Sequence, residues 1–185
     1  QNLVLGGSGT KTNMGVTVNG TLFRRGTATV STAPTYGAGA TLEYNGSSPQ
    51  TSGPELVTNI ANLTINNTNG VTLAGSPTVT SLLTLAAGRL NTGVNQVNLA
   101  TNGSISGGGT ASYVNGNLQK SFAAGVQQFI FPVGDGQSYA PLALSNLSVT
   151  TPGSLKASTV GGSHPQQGNT GLDPNRDVNR YWTLT

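Results

Sequence analysis

Residues 60–106 read IANLTINNTNGVTLAGSPTVTSLLTLAAGRLNTGVNQVNLATNGSIS and contain an internal repeat. The triplet Leu63-Thr64-Ile65 returns twenty positions later as Leu83-Thr84-Leu85, and Ile105 lies twenty positions after Leu85. In each triplet two apolar residues flank a polar one, which is the alternation of a strand with one buried face. The segment is therefore a series of short strands with a period of about 20 residues.

This period predicts a β-solenoid, because one coil of a three-sided solenoid needs three strands and three turns, or about 20 residues. We expect a short right-handed β-solenoid over residues 1–107, with an apolar column formed by the inward residues of successive coils. Leu83 and Leu85 are predicted to be buried in that column, between the preceding triplet and Ile105. A β-sandwich with evenly spaced hairpins is the alternative, but the recurrence of the triplets in register favours the solenoid.

The pattern changes at Gly107-Gly108-Gly109, after which the candidate strands are longer and contain aromatic residues. They cover residues 112–118, 127–133, 140–149, 154–160 and 180–185. Longer alternating strands joined by irregular loops indicate an antiparallel sheet or a small sandwich. We therefore predict a second, antiparallel β-rich region over residues 108–185.

The composition agrees with an all-β protein and excludes several classes of function. Only 7% of the 185 residues are charged, cysteine is absent and glycine occurs 27 times. The net charge is +3 and Arg24-Arg25 is the one adjacent basic pair, so no basic patch for nucleic acid is present. No apolar run approaches the roughly 20 residues of a membrane span. Gln1 is a plausible first residue after signal cleavage, so we expect an exported, extracellular or cell-surface protein.

Catalytic and metal-binding residues are sparse, and we predict no enzymatic activity and no cofactor. His164 is the single histidine and lies in a loop rich in glycine and proline, which does not favour a catalytic triad. Asp173, Asn175 and Asp177 have the alternate oxygen spacing of a calcium loop. They form only a weak candidate, because Val178 stands where such a loop has glycine. A turn held by aspartate–arginine salt bridges is the alternative.

Both ends of the chain are strand-like and apolar, which points to assembly. A solenoid exposes unpaired backbone groups at its ends, and no polar capping helix is evident at either end of this sequence. We expect one terminus to add as a strand to a neighbouring copy, giving a homo-oligomer or filament. The alternative is that both termini pair within their own subunit. The candidate assembly residues are Asn2, Leu3, Val4 and Leu5 at one end, and Tyr181, Trp182, Thr183, Leu184 and Thr185 at the other.

Three motifs resemble segments of large secreted surface proteins of the Bacteroidetes. Residues 62–73 are similar to their repeats, 129–141 to the segment that follows those repeats, and 173–182 to a further signature. The resemblance implies a cell-surface or extracellular location and a structural or adhesive role, with no catalytic residues to transfer. Because members of that group are far longer, the chain resembles one module of such an architecture.

Two functions remain open on the sequence. The first is a structural subunit of a self-assembling surface filament or stalk, whose partner is another copy of itself. The second is an adhesin or carbohydrate-binding module that recognises surface glycans through exposed aromatic side chains such as Tyr36, Tyr44 and Tyr139.

Overall fold

The computed structural model describes residues 1–12, 15–169, 171, 173, 176 and 179–185. The fold is all-β with 2% helix, and it forms a β-solenoid of about six turns with roughly 20 residues per coil. A single 3-10 turn, Gln167–Asn169, is found within these ranges. The strands are β1 (Leu3–Leu5), β2 (Thr10–Lys11), β3 (Thr17–Val18), β4 (Thr21–Arg24), β5 (Thr29–Val30), β6 (Thr35–Tyr36), β7 (Thr41–Tyr44), β8 (Gln50–Thr51), β9 (Asn59–Asn66), β10 (Val71–Thr72), β11 (Thr78–Ala87), β12 (Leu90–Leu99), β13 (Ser104–Gly107), β14 (Val114–Phe122), β15 (Gly125–Phe131), β16 (Val133–Gly134), β17 (Leu142–Val149), β18 (Gly153–Gly161) and β19 (Arg180–Leu184).

The first face of the solenoid is a stack of parallel strands: β1, β4, β7, the second halves of β9 and β11, and β13. Its members pair at intervals of 19 to 22 residues. The inward ladder runs through Leu3, Leu22, Leu42, Leu63, Leu83 and Ile105. The four central leucines are buried, and Leu85 beside them is buried too. The predicted solenoid and the predicted burial of Leu83 and Leu85 are confirmed.

The coil between β11 and β13 departs from the twenty-residue spacing read from the sequence. Ile105 pairs with Leu83 and not with Leu85, so this coil is two residues longer than the spacing suggested. Gly107 takes the place opposite Leu85, with a φ of 81°. A Cβ at Gly107 would lie 2.3 Å from the Leu85 carbonyl oxygen, so a side chain does not fit there.

The other two faces are parallel ladders of the same kind. On the second face the inward residues of consecutive coils are Val71, Leu90, Val114 and Val133. On the third face they are Ile60, Val79, Leu99 and Lys120. The third ladder therefore ends on a buried lysine instead of an apolar residue.

Parallel stacking continues past residue 107, where the sequence suggested a boundary. β14 pairs in parallel with β12, and β16 pairs in parallel with β14. The chain can pass tightly here because Gly108 has no side chain: a Cβ at this position would lie 2.9 Å from the Cβ of Pro132. Antiparallel pairing begins at β15, and the solenoid and antiparallel parts share β14. A division into two domains at this position stays a prediction.

The antiparallel strands cover the C-terminal end of the solenoid. β18 pairs with β14, β19 pairs with β18, and β15 and β17 form a separate two-stranded sheet. Phe131 of this small sheet is fully buried in the core, and Phe129, Leu142 and Leu144 pack against the core. The antiparallel region predicted from the sequence therefore closes one end of the apolar column.

Candidate functional site

Within the described residues, the N-terminal end of the apolar column exposes apolar side chains, in contrast to the C-terminal end. Leu3 and Val4 of β1 are 41% and 51% exposed. A cavity of about 280 Å³ lies beside them and is lined by Leu5, Leu22 and Val30 among others. Exposed apolar surface of this kind, at the open end of a stack of parallel strands, is typical of an interaction site.

The main sheet has its two terminal strands at its two ends. Its strand order begins with β1 and finishes with β19, and among the described strands each of them pairs on one side only. Trp182 and Leu184 of β19 are 37% and 41% exposed, which adds apolar surface to a free backbone edge. The two predicted assembly segments thus lie in outer strands of the same connected sheet. β1 lies at the N-terminal end of the first face, and β19 lies outside β18, which pairs with the third-face part of β14.

Each terminus pairs within its own chain, which was the alternative to strand exchange. Leu3 pairs with Leu22, and the Asn2 side-chain oxygen accepts a hydrogen bond from the Thr21 amide at 2.8 Å. At the other end Thr185 and Lys156 exchange two backbone hydrogen bonds of 3.1 and 2.9 Å. Strand exchange is therefore not needed to order either terminus, and contact between copies stays a prediction that concerns the outer edges of β1 and β19. The remaining candidates, Val4 to Leu5 and Tyr181 to Leu184, lie in these same two strands.

A largely buried ion pair between Arg180 and Asp135 anchors β19. Arg180 Nη1 lies 3.0 Å from Asp135 Oδ2, and both side chains are largely shielded from solvent. Partial burial raises the pKa of Asp135, but hydrogen bonds from the Ser138 and Gln137 amides and from Arg180 outweigh it and lower the pKa to about 2. The ionised carboxylate thus holds the last strand onto the loop after β16.

A second ion pair is fully enclosed in the solenoid, between its second and third coils. Arg24 Nη1 lies 2.9 Å from Glu55 Oε1, with side-chain exposures of 4% and 0%. Glu55 Oε1 also accepts hydrogen bonds from the Tyr44 hydroxyl at 2.9 Å and the Gly53 amide at 2.8 Å, while Arg24 donates to the Thr51 carbonyl. With so many partners satisfied, this cluster is a structural element of the core.

Sequence reasoning missed this cluster, although one signal for it was present. The alternation in Thr21-Leu22-Phe23-Arg24 places Arg24 on the same side of the strand as Leu22, and therefore inward. A buried arginine is costly unless it is paired or hydrogen-bonded, so an inward arginine indicates buried partners. Nothing in the local spacing identified Glu55 as one of them.

The tyrosines suggested for glycan binding are engaged elsewhere. Tyr44 is fully buried, so its prediction as an exposed aromatic residue is wrong. Burial first, and then the charge of Glu55, raise its pKa well above the ordinary value. The Tyr36 hydroxyl donates to the Glu55 carbonyl oxygen at 2.7 Å, and Tyr139 packs against Tyr113 with ring centroids 5.8 Å apart. These three side chains do not form a shared exposed platform.

Among the remaining sequence candidates, His164 and Asp173 make separate contacts. The His164 ring packs edge-on against Tyr181, with centroids 4.9 Å apart. Of the calcium candidates, Asp173 faces exposed Arg176 across 3.6 Å, in agreement with the salt-bridged alternative. Asn175 and Asp177 lie outside the described residues. In the part of the chain that the structure describes, no group of three metal-ligating side chains of the His, Cys, Asp or Glu type occurs.

The described segments also hold no helix with the length and apolarity needed to cross a lipid bilayer. Comparison with known proteins adds no relative: no family model, no curated protein and no solved structure matches the chain significantly.

Proposed function

We propose that the protein is a non-enzymatic structural module of an extracellular or cell-surface assembly, in which copies join end to end by strand addition. The observation that carries the proposal is the position of β1 and β19 as the first and last strands along the main path of one connected sheet, each paired on one side only among the described strands. Pairing of β19 from one copy with β1 of the next would join the sheets of the two copies. Such a contact uses two different surfaces and does not close on itself, so it generates a filament.

Exposed apolar side chains at both edges support this contact. Val4 is 51% exposed on β1, and Trp182 and Leu184 are exposed on β19. Natural proteins commonly protect a free sheet edge with charged side chains, proline or a covering loop. The strand itself, Leu3-Val4-Leu5, contains no charged residue and no proline. If a second copy placed its Leu184 in the cavity at Leu5 and Leu22, the exposed apolar side chains of β1 and of β19 would both be covered.

The distribution of ionisable groups supports a structural role. Glu55 pairs with Arg24 in the core, and Asp135 pairs with Arg180 at the anchor of β19. Glu43 accepts a hydrogen bond from the Asn66 side chain at 3.0 Å on the outer side of the first face. These carboxylates are held in separate places, each by its own partner. A module of a longer surface protein of the Bacteroidetes type, as the sequence resemblance implies, fits the same reading.

The test is the association state of the purified protein. Sedimentation velocity and negative-stain electron microscopy across a concentration series should show linear oligomers that lengthen with concentration. Val4→Lys and Leu184→Lys should each shorten them, because an edge lysine opposes strand addition. Val94→Lys is the matched control, since Val94 is 100% exposed at the irregularity in the middle of β12, away from β1 and β19. Linear oligomers that persist in both edge variants would contradict the proposal.

A further inference from the structure

The first face lacks one rung at its C-terminal end. In chain order β15 lies between the third-face part of β14 and β16 of the second face. It therefore stands where the chain would pass the first face for the seventh time, after β1, β4, β7, β9, β11 and β13. It nevertheless pairs with β17 and not with β13. β13 is paired along one edge by β11, and none of the described strands pairs along its other edge.

The backbone of β13 directs hydrogen-bonding groups toward this gap. The Gly108 amide donates to the Leu85 carbonyl oxygen, although Leu85 is the partner of Gly107 in the register. In each pair of a parallel ladder, the backbone amide and carbonyl of one residue hydrogen-bond to the two residues that flank its partner. The Gly108 amide bond therefore identifies Leu85, and by alternation Leu83, as the residues of β11 whose backbone groups bond to β13. The amide and carbonyl groups of Ile105 and Gly107 therefore face away from β11, into the gap.

The gap is a groove with an apolar wall. Its volume is about 850 Å³, and its lining includes the β13 edge on one side and Phe129, Ile130 and Leu144 of the β15–β17 sheet on the other. Ile130, one of the lining residues, is 59% exposed. A strand of four residues spans about 13 Å, so the free edge of β13 matches a short extended peptide. An unpaired edge beside apolar side chains is the arrangement used for recognition by strand addition.

A buried positive charge lies at the base of the groove. Lys120 is 6% exposed and lines the groove, and its ammonium donates to the Ala100, Thr101 and Gly103 carbonyl oxygens, each at 2.7 Å. Burial lowers its pKa. No carboxylate of the described residues lies within ion-pair distance of it. A ligand carboxylate in the groove would be attracted by this charge.

We propose that this groove binds an extended peptide segment of a partner protein, which pairs with the free edge of β13 and carries apolar side chains next to an acidic one. The backbone edge selects an extended chain, and the apolar lining selects apolar side chains. The Lys120 ammonium has all three hydrogens in hydrogen bonds, so it favours a carboxylate through its uncompensated charge and not through a direct hydrogen bond. This site is separate from the β1 and β19 edges, so it does not depend on the proposed assembly.

The probe is the blocked heptapeptide Ala-Asp-Leu-Thr-Ile-Asp-Ala, whose centre copies the pattern of the protein's own first-face rungs. Titration into the full-length protein, followed by amide chemical shifts, should show saturable binding with a Kd below about 1 mM. The largest shifts should fall on the amides of Ile105 and Gly107. Absence of saturable shifts at these amides overturns the proposal.

Two peptide controls separate strand pairing from non-specific adhesion. N-methylation of alternate amides in one register should weaken binding about tenfold or more, while methylation in the other register should leave it nearly unchanged. Replacement of both aspartates by asparagine should weaken binding and remove its dependence on salt. Equal binding of both methylated peptides, or of the asparagine peptide, overturns the corresponding part of the inference.

A pair of protein variants locates the site. Ile130→Ser should weaken binding about tenfold, because Ile130 lines the groove. Val126→Ser on the same strand is the matched control: Val126 is 74% exposed and is not part of the groove. Both positions are exposed, so both variants should fold. Equal affinity of the two variants would place the peptide elsewhere and overturn the assignment.

Discussion

Trp182 donates its indole Nε1–H to the Ala140 carbonyl oxygen at 2.9 Å, across 42 residues of sequence. It is the single tryptophan of the chain and lies in β19. Its fluorescence therefore reports on whether the last strand is docked on the rest of the sheet. This makes the proposed assembly edge directly observable.

Acid should release β19 through Asp135. The folded-state pKa of Asp135 is depressed from 3.8 to about 2, so the stabilisation it contributes is present above about pH 4 and is lost as the pH falls toward 2. We expect the Trp182 emission to change within that window. Asp135→Asn should abolish this step, since its side chain does not titrate. An identical acid transition in Asp135→Asn would show that another group controls the docking.

Removing a buried first-face side chain should create a cavity. Leu85 is 2% exposed and pairs with Ile65 of the preceding coil. Leu85→Ala should therefore lower the free energy of unfolding by about 2–5 kcal/mol in urea denaturation. Leu82→Ala on the same strand is the control, because Leu82 is only half-buried, and it should cost less than about 1 kcal/mol. Equal costs for the two variants would mean that the register of β11 is wrong.

The enclosed ion pair predicts a large effect of removing one partner. Glu55→Gln leaves the Arg24 guanidinium buried without its counter-charge, which should cost about 3–5 kcal/mol at neutral pH. In the double variant Arg24→Met with Glu55→Met, the loss should be smaller than the sum of the single losses, because neither charge is left alone. Chemical denaturation of the unmodified protein, of Arg24→Met, of Glu55→Met and of the double variant measures this coupling. Additive losses would contradict the ion pair.

A glycine in the turn before β12 is predicted to tolerate no side chain. Gly88 has a φ of 76°, and a Cβ there would lie 1.7 Å from the Asn67 carbonyl oxygen. Gly88→Ala should destabilise the protein by more than about 2 kcal/mol. Gly75→Ala is the control, since nothing lies within 4 Å of a Cβ at that position. Thermal unfolding that shifts equally for the two variants would exclude this coil packing.

The sequence predicted the solenoid because its information is local and repeated. The alternation in Leu63-Thr64-Ile65 sets which side chains point inward, and the repeat at Leu83 sets the length of a coil. The two-residue extension before Ile105 was not foreseen, because a longer turn leaves the strand pattern unchanged. Pairing between distant residues, such as Arg24 with Glu55, depends on how coils stack and has no local signal.

The candidate sites were less predictable than the fold. The sequence singled out both terminal strands as assembly segments but did not show that the N-terminal end of the column is open and the other end is covered. The sequence indicated a strand at residues 127–133. The pairing of β15 with β17 and not with β13 arises from tertiary packing. The groove beside β13 follows from that pairing and could not be read from spacing.

The contact between β19 of one copy and β1 of the next is tested most directly by placing complementary charges at the two edges. Linear oligomers should be lost in the double variant Val4→Lys with Leu184→Lys, because like charges meet across the paired strands, and should return in Val4→Lys with Leu184→Glu, because opposite charges meet there. Sedimentation velocity of the two double variants beside the unmodified protein measures this. Two results would contradict assembly through these edges. In the first, both double variants form oligomers of equal length. In the second, the unmodified protein assembles and neither double variant does.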